Sequence, residues 1–202
     1  MLTIALPKGR IAEETLDKFE KAFGEKFVFE DRKLILKKSG FTFLNVRNQD
    51  VPTYVMHGAA DLGVVGLDVL EEKEYDLIKL LDLELGKCKV AFGLRKGEKL
   101  NFDKSKITIA TKHEKIAKKF FEQKAMAVEI IKLYGSIELA PLVGLCDCIV
   151  DIVETGETMK QNGLEIGPTI MESSAHLIAN KNSFYAKKDL ILDLKERIEA
   201  HI

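Results

Sequence analysis

Hydrophobic positions along this chain follow two different spacings in turn. Leu2–Leu6 is a short unbroken apolar run, the mark of a strand buried on both faces. After Pro7, Lys8, Gly9 and Arg10 the spacing changes. Ala12, Leu16, Phe19 and Phe23 recur at intervals that stack them on one helix face. Phe41–Arg47 reads as a second strand. Val51–Leu70 then reads as a helix opened by Pro52, a turn at His57–Ala60 and a buried strand at Leu62–Gly66. Lys89–Lys96 and Ile107–Thr111 are further strands, and Ile116, Ala117, Phe120 and Phe121 mark another helix face. Ala127–Leu133 and Asp147–Val153 read as strands, Met159–Leu164 as a helix and Ala175–Lys181 as the last strand. A final helix carries Ile191, Leu194 and Ile198 on one side.

Strands alternating with helices predict an α/β fold with largely parallel sheets. No Pro/Gly/Ser-rich linker, internal repeat or low-complexity tract interrupts the pattern. Two lobes are compatible with this only if the chain crosses between them on strands. The stretches LGKCKVAFGL near residue 86 and IMESSAHL near residue 173 are the expected crossings. Residues 1–86 with 174–202 would then form lobe I, and residues 87–173 lobe II.

Composition narrows the function. Apolar residues make up 46% and charged residues 31% of the 202, the profile of a soluble globular protein of one large or two small domains. With 31 basic and 32 acidic residues the net charge is -1, so no global field favours nucleic acid or a membrane surface. Anion binding would have to be local. Pro7 and Lys8 break the first apolar run too early for a signal peptide, and no apolar stretch approaches the roughly 18 residues of a membrane span. The expected location is the cytoplasm. Cys88, Cys146 and Cys148 lack a second pair with zinc spacing and read as reduced thiols. His57, His113, His176 and His201 share no metal-binding spacing and read as surface or turn residues. Neither a GxSxG elbow nor a Walker A loop is present, so nothing points to covalent catalysis.

Four loops remain as candidate chemistry, each following a strand, where open α/β sheets bind their ligands. In DIVETGETMKQNGL (Asp151–Leu164) a buried strand ends in a small polar loop before a helix. Unpaired N–H groups of the first helical turn suit an anion, Gly156 permits close backbone approach, and Thr155 and Thr158 add hydroxyl donors. Asp151 and Glu154 would suit sugar hydroxyls or Mg²⁺. Phosphate, diol and metal together describe a phosphorylated ribose, although Thr, Gly and Asp are also ordinary turn and cap residues. In PKGR, Lys8 and Arg10 flank Gly9 and could clamp a polyphosphate, or form a solvated basic turn. Gly63–Gly66 ends a buried strand before Asp68. Lys132–Pro141 carries Ser136 and Glu138.

ALPKGR, DVPTYVMHGAADLGVVGLDVL, KLYGSIELAPLVGLCDCIVDIVETGETMKQNGL and ESSAHLIAN, in this order, resemble the ATP phosphoribosyltransferases, and the likeness covers nearly the whole chain. Lacking an additional C-terminal regulatory region, the chain is similar to the short form. The resemblance implies two α/β lobes like type II periplasmic binding proteins, with the active site in the cleft. It implies transfer of phosphoribosyl from phosphoribosyl pyrophosphate to N1 of ATP, with Mg²⁺, giving phosphoribosyl-ATP and pyrophosphate as the first step of histidine biosynthesis. It also implies a homodimer, partnered by a histidyl-tRNA-synthetase-like regulatory subunit in a hetero-octamer. Carried over by position, Glu154, Thr155, Gly156, Glu157 and Thr158 would hold the 5-phosphate, and Asp151 and Glu138 the ribose hydroxyls. Lys8, Arg10 and Arg32 would serve catalysis at the pyrophosphate, Arg32 in the site of the same or the neighbouring subunit. Gly9, Gly66, Asp68 and Ser136 would face ATP. Met159 stands where the family usually has Leu, a change between apolar residues.

Two other classes compete. Phosphoribosyltransferases of the Rossmann-like type also carry an acid-x-x-x-Thr-Gly-x-Thr loop, but usually with two adjacent acids, whereas Val150 precedes Asp151 here. A non-enzymatic two-lobed binding module would share the GAADLGVVG stretch but not the phosphoribosyl loop.

Overall fold

A computed structural model describes residues 1–202. The chain divides into two compact units, Met1–Gly86 with Ser174–Ile202, and Lys87–Ser173.

In the first unit, β1 (Leu2–Pro7) pairs in parallel with β3 (Phe41–Val46) and with β4 (Leu62–Gly66). The edge strand β2 (Ile35–Lys38) joins β3 as a hairpin through Ser39 and Gly40. The last residues of β9 (Leu164–Ala179) run antiparallel to β4. On one face, α1 (Arg10–Phe23) buries Ala12, Leu16 and Phe19 against Leu2, Ile4 and Leu6, and α8 (Lys188–Glu199) adds Ile191, Leu194 and Ile198. Phe19 meets Phe43 and Phe41 edge-on at centroid distances of 5.0 and 5.5 Å, the geometry favoured by ring quadrupoles. On the other face, α2 (Val51–Met56) and α3 (Leu67–Lys73) bury Val51, Val55 and Val69 with Val65 and Ile178.

A polar staple ties the ends of this unit together. Asp61, just before β4, accepts from Thr3 N–H at 2.9 Å, and Lys187 Nζ reaches both its oxygens at 2.8 Å. Burial alone would raise the Asp61 carboxyl. The hydrogen bonds from Lys187, Thr3 and Ser183, with the Lys187 charge, outweigh it and hold the group below the usual carboxylate range. Asn180 caps α7 (Lys181–Ala186), accepting from Ser183 N–H at 3.0 Å and donating to the Val55 carbonyl at 2.9 Å.

In the second unit, β8 (Cys148–Val153) lies between β5 (Ile78–Arg95), antiparallel to it, and β6 (Ile107–Thr111), parallel to it. The strand β7 (Val128–Lys132) extends the sheet in parallel beside β6. One face packs under α4 (Glu114–Glu122), where Ile116, Ala117 and Phe121 meet Phe92, Ile109 and Val150. The other carries α5 (Leu139–Leu142) and α6 (Glu157–Gln161), with Ala140 and Met159 against Ala91, Ala110 and Ile149. Cys146 and Cys148 are buried free thiols, and burial pushes Cys148 up to about 12.

The α/β alternation holds, with departures that have physical causes. The strand expected at Lys89–Lys96 is the latter half of β5, which begins at Ile78. Glu84 and Gly86 have φ of 56 and 57, so the in-out alternation breaks there and hides the continuity. The strand expected at Ala175–Lys181 is the end of β9, whose earlier residues are mostly exposed and include Gly167 and Pro168. β2 is exposed and carries Lys37 and Lys38, so it gives no apolar signature. The helix expected at Met159–Leu164 runs from Glu157 to Gln161 instead. Asn162 Nδ2 donates to the Thr158 carbonyl at 2.8 Å as the helix ends, and Leu164 opens β9. Two histidines also differ from expectation: His113 is buried, at the N-cap of α4, and His176 is half-buried within β9. No helix is long and apolar enough to cross a membrane.

Candidate active site

Along β8, Cys148 and Val150 pack under α4 while Ile149 and Val153 pack toward α6. This alternation fixes the strand on both faces up to the point where the chain turns away. At that end a depression of about 370 Å³ opens. Lys112, Glu138, Asp151, Glu154, Thr155, Gly156 and Thr158 contribute to its lining.

The loop after β8 is held by three local features. Gly156 has φ of 79, a left-handed conformation, and a Cβ there would collide with the end of the Ile166 side chain. Thr155 Oγ1 accepts from Glu157 N–H at 3.3 Å, which leaves its own O–H to donate elsewhere. Met159 is buried and anchors α6 in the core. Since α6 spans five residues, its axial dipole is small. An anion would depend on individual loop N–H groups and hydroxyls.

Register brings the second wall in. β6 and β8 are parallel with Thr111 opposite Val150, so one residue further on Lys112 lies beside Asp151. Thr111 Oγ1 donates to the Val150 carbonyl at 2.6 Å and accepts from His113 N–H at 2.8 Å, pinning the end of β6 to β8. Lys112 Nζ is 3.2 Å from Asp151 Oδ1, and His113 Nε2 is 3.8 Å from the same oxygen. Ile152 N–H donates to it as well, at 2.8 Å. Glu138 reaches the depression from the N-cap of α5.

Of the residues assigned to a phosphorylated ribose, Asp151, Glu138, Glu154, Thr155, Gly156 and Thr158 therefore line one depression. Glu157 is exposed on α6 and outside that lining, and so is Ser136, which is exposed with φ of 49. Lys112 and His113 were not singled out from the sequence. Their place beside Asp151 follows from the parallel pairing of β6 with β8, which no motif in the sequence announces.

The remaining candidates belong to the first unit. Lys8, Gly9 and Arg10 are exposed where β1 passes into α1. Gly9 has φ of 97 and ψ of -155, a region that is essentially glycine-only. Arg10 opens α1, with Nη1 3.9 Å from Glu14 Oε1. Arg32 is exposed with φ of 57, ahead of β2. Gly66 is buried at the end of β4, and Asp68 is buried in the first turn of α3.

Comparison with known proteins assigns the chain. The sequence model of the HisG family, described as ATP phosphoribosyltransferase, matches residues 47–200. An ATP phosphoribosyltransferase of Sulfurovum sp. is 66% identical over 200 residues, covering 99% of this chain and 97% of the relative. One from Wolinella succinogenes is 68% identical over 197 residues, covering 98% and 96%. Among solved structures, the ATP phosphoribosyl transferase (HisG:HisZ) complex from Thermotoga maritima superposes with a TM-score of 0.85 at 36% identity, covering 99% of this chain and 98% of that one. The substrate binding protein of an amino acid ABC transporter, at 14% identity and a TM-score of 0.61, shares the fold alone. The chain belongs to the ATP phosphoribosyltransferase family, transferases of the first step of histidine biosynthesis.

Proposed function

We propose that the chain joins N1 of ATP to C1 of phosphoribosyl pyrophosphate, and that the depression beside β8 holds the phosphoribosyl group. One observation carries this reading: a loop rich in N–H and hydroxyl donors and the carboxylates Asp151 and Glu138 line a single depression. The donors suit the 5-phosphate and the carboxylates suit the ribose hydroxyls. Adenine N1 is a neutral nucleophile, so the demanding step is loss of pyrophosphate from C1, as the ribose gains oxocarbenium character. Cations set where that negative charge develops lower the barrier. Lys8, Arg10 and Arg32 are the residues assigned to this role. The grip on the 5-phosphate supplies binding energy remote from the bond that breaks, and that energy orients C1.

Mg²⁺ fits the chemistry of the depression, since Glu138 and Glu154 offer the hard oxygen ligands it prefers. No group of three acids, histidines or cysteines is gathered tightly enough to hold a metal ion. One or two carboxylates together with substrate oxygens would hold it, and it would supply charge neutralisation at the leaving group.

We further propose a homodimer in the cytoplasm that assembles with a histidyl-tRNA-synthetase-like subunit into a hetero-octamer. The solved relative from T. maritima, described as a HisG:HisZ complex, supports this partner. Ultraviolet absorbance of phosphoribosyl-ATP, followed with and without that subunit, tests the whole reading. Formation of the product from ATP and phosphoribosyl pyrophosphate is expected, increased by the partner. No consumption of phosphoribosyl pyrophosphate under either condition would leave a binding module instead.

A further inference from the structure

We infer that Lys112 is a positioning residue for sugar recognition: it engages Asp151 through Oδ1 and so reserves Oδ2 for the ribose hydroxyls. The inference deepens the phosphoribosyl reading of the depression and rests on it.

The contacts of Asp151 are one-sided. The Ile152 N–H at 2.8 Å and Lys112 Nζ at 3.2 Å both address Oδ1, and His113 Nε2 lies 3.8 Å from the same oxygen, beyond hydrogen-bond distance. A carboxylate held at one oxygen by a donor from β8 and another from the residue that follows β6 has its plane set, and its second oxygen is then the acceptor left for a ligand. Asp151 lines the depression, so that acceptor serves whatever enters it. The anchoring is rigid on both sides, because Thr111 fastens the end of β6 to Val150, directly before Lys112 and Asp151. Lys112 is also the one cation in the lining, against the carboxylates Glu138, Asp151 and Glu154. An isolated ion pair at the Lys112 exposure of 38% would be worth little to stability. Its consequence should therefore appear in ligand discrimination.

The test compares binding of ribose 5-phosphate and 2-deoxyribose 5-phosphate to the full chain by titration calorimetry. Any general attraction of Lys112 for phosphate affects both sugars and cancels in the ratio of their affinities. The unmodified chain is expected to favour ribose 5-phosphate roughly tenfold or more, the effect of one hydrogen bond to a charged acceptor. Lys112→Met is expected to bring that ratio close to one with little change in thermal midpoint, and Lys112→Arg to restore most of it. Equal weakening of both sugars by Lys112→Met, with the ratio intact, would overturn the inference in favour of simple charge attraction. An unchanged ratio with unchanged affinities would reduce the contact to a surface ion pair. Loss of the preference in Asp151→Asn but not in Lys112→Met would sink only the role of Lys112. Absence of any ribose preference in the unmodified chain, with Asp151→Asn indistinguishable from it, would sink the phosphoribosyl reading itself.

Discussion

Gly156 meets two constraints at once: a left-handed backbone and the Ile166 side chain. Gly156→Ala should lose roughly 1–2 kcal/mol from the backbone conformation alone. It should also displace the loop and raise the KM for phosphoribosyl pyrophosphate. Adding Ile166→Val relieves the collision but not the backbone, so chemical denaturation should show partial recovery of stability. A fully stable Gly156→Ala with unaltered KM would mean that the loop accommodates a side chain and does not grip the phosphate closely. Arg10 offers a kinetic counterpart. If it acts on charge that develops only as pyrophosphate leaves, Arg10→Ala should reduce kcat by roughly 10²–10³ with a much smaller effect on KM. Steady-state kinetics with each substrate varied in turn would decide, and an effect confined to KM would assign Arg10 to ground-state binding. The acids, hydroxyls and Gly156 of the loop could be picked out of the sequence because their chemistry is local, within eight residues from Asp151 to Thr158. Lys112 could not, because its relation to Asp151 arises from the pairing of β6 with β8, across residues that composition does not connect. His113 was misread for a similar reason: its burial comes from packing at the start of α4, and a lone histidine carries no periodic signal.

At the scale of elements, the Asp61–Lys187 pair joins the beginning of β4 to the junction between α7 and α8. Because the folded-state carboxyl sits below its ordinary value, its stabilisation is complete above the unfolded pKa near 4. It is lost as pH falls through the lower folded value. Lys187→Met should therefore destabilise the chain near neutrality, by about 1–3 kcal/mol for a partly buried carboxylate that loses its counter-charge. The gap between variant and parent should narrow as pH drops below about 4. Urea unfolding at a series of pH values measures both, and a gap independent of pH would show that the lysine contributes through packing. The legible elements were those with one buried face in regular spacing, such as α1 and α4, or an unbroken buried apolar run, such as β4. Exposed or irregular ones were not: β2 half-buries Leu36 alone, and β5 passes through left-handed backbone at Glu84 and Gly86.

On the scale of the whole molecule, family membership was readable because long motifs occur in order through most of the chain. The fold shared with an ABC-transporter binding protein at 14% identity was not sufficient for that. A likeness at this level places strands and helices, while activity resides in loops such as Glu154–Thr158. The first unit is assembled from both ends of the sequence, whereas the second is one continuous segment, Lys87–Ser173. On a translating ribosome these two geometries imply an inverted order of maturation. The middle of the polypeptide can condense as soon as it emerges, while the earlier β1, β3 and β4 must wait for the end of β9 and for α8 to be synthesised. Limited proteolysis of progressively longer stalled nascent chains should yield a resistant fragment from the middle before any from the start. Until α8 has been made, Leu2, Ile4 and Leu6 lack their later-made partners Leu177, Ile191 and Leu194, and chaperone engagement should concentrate on β1.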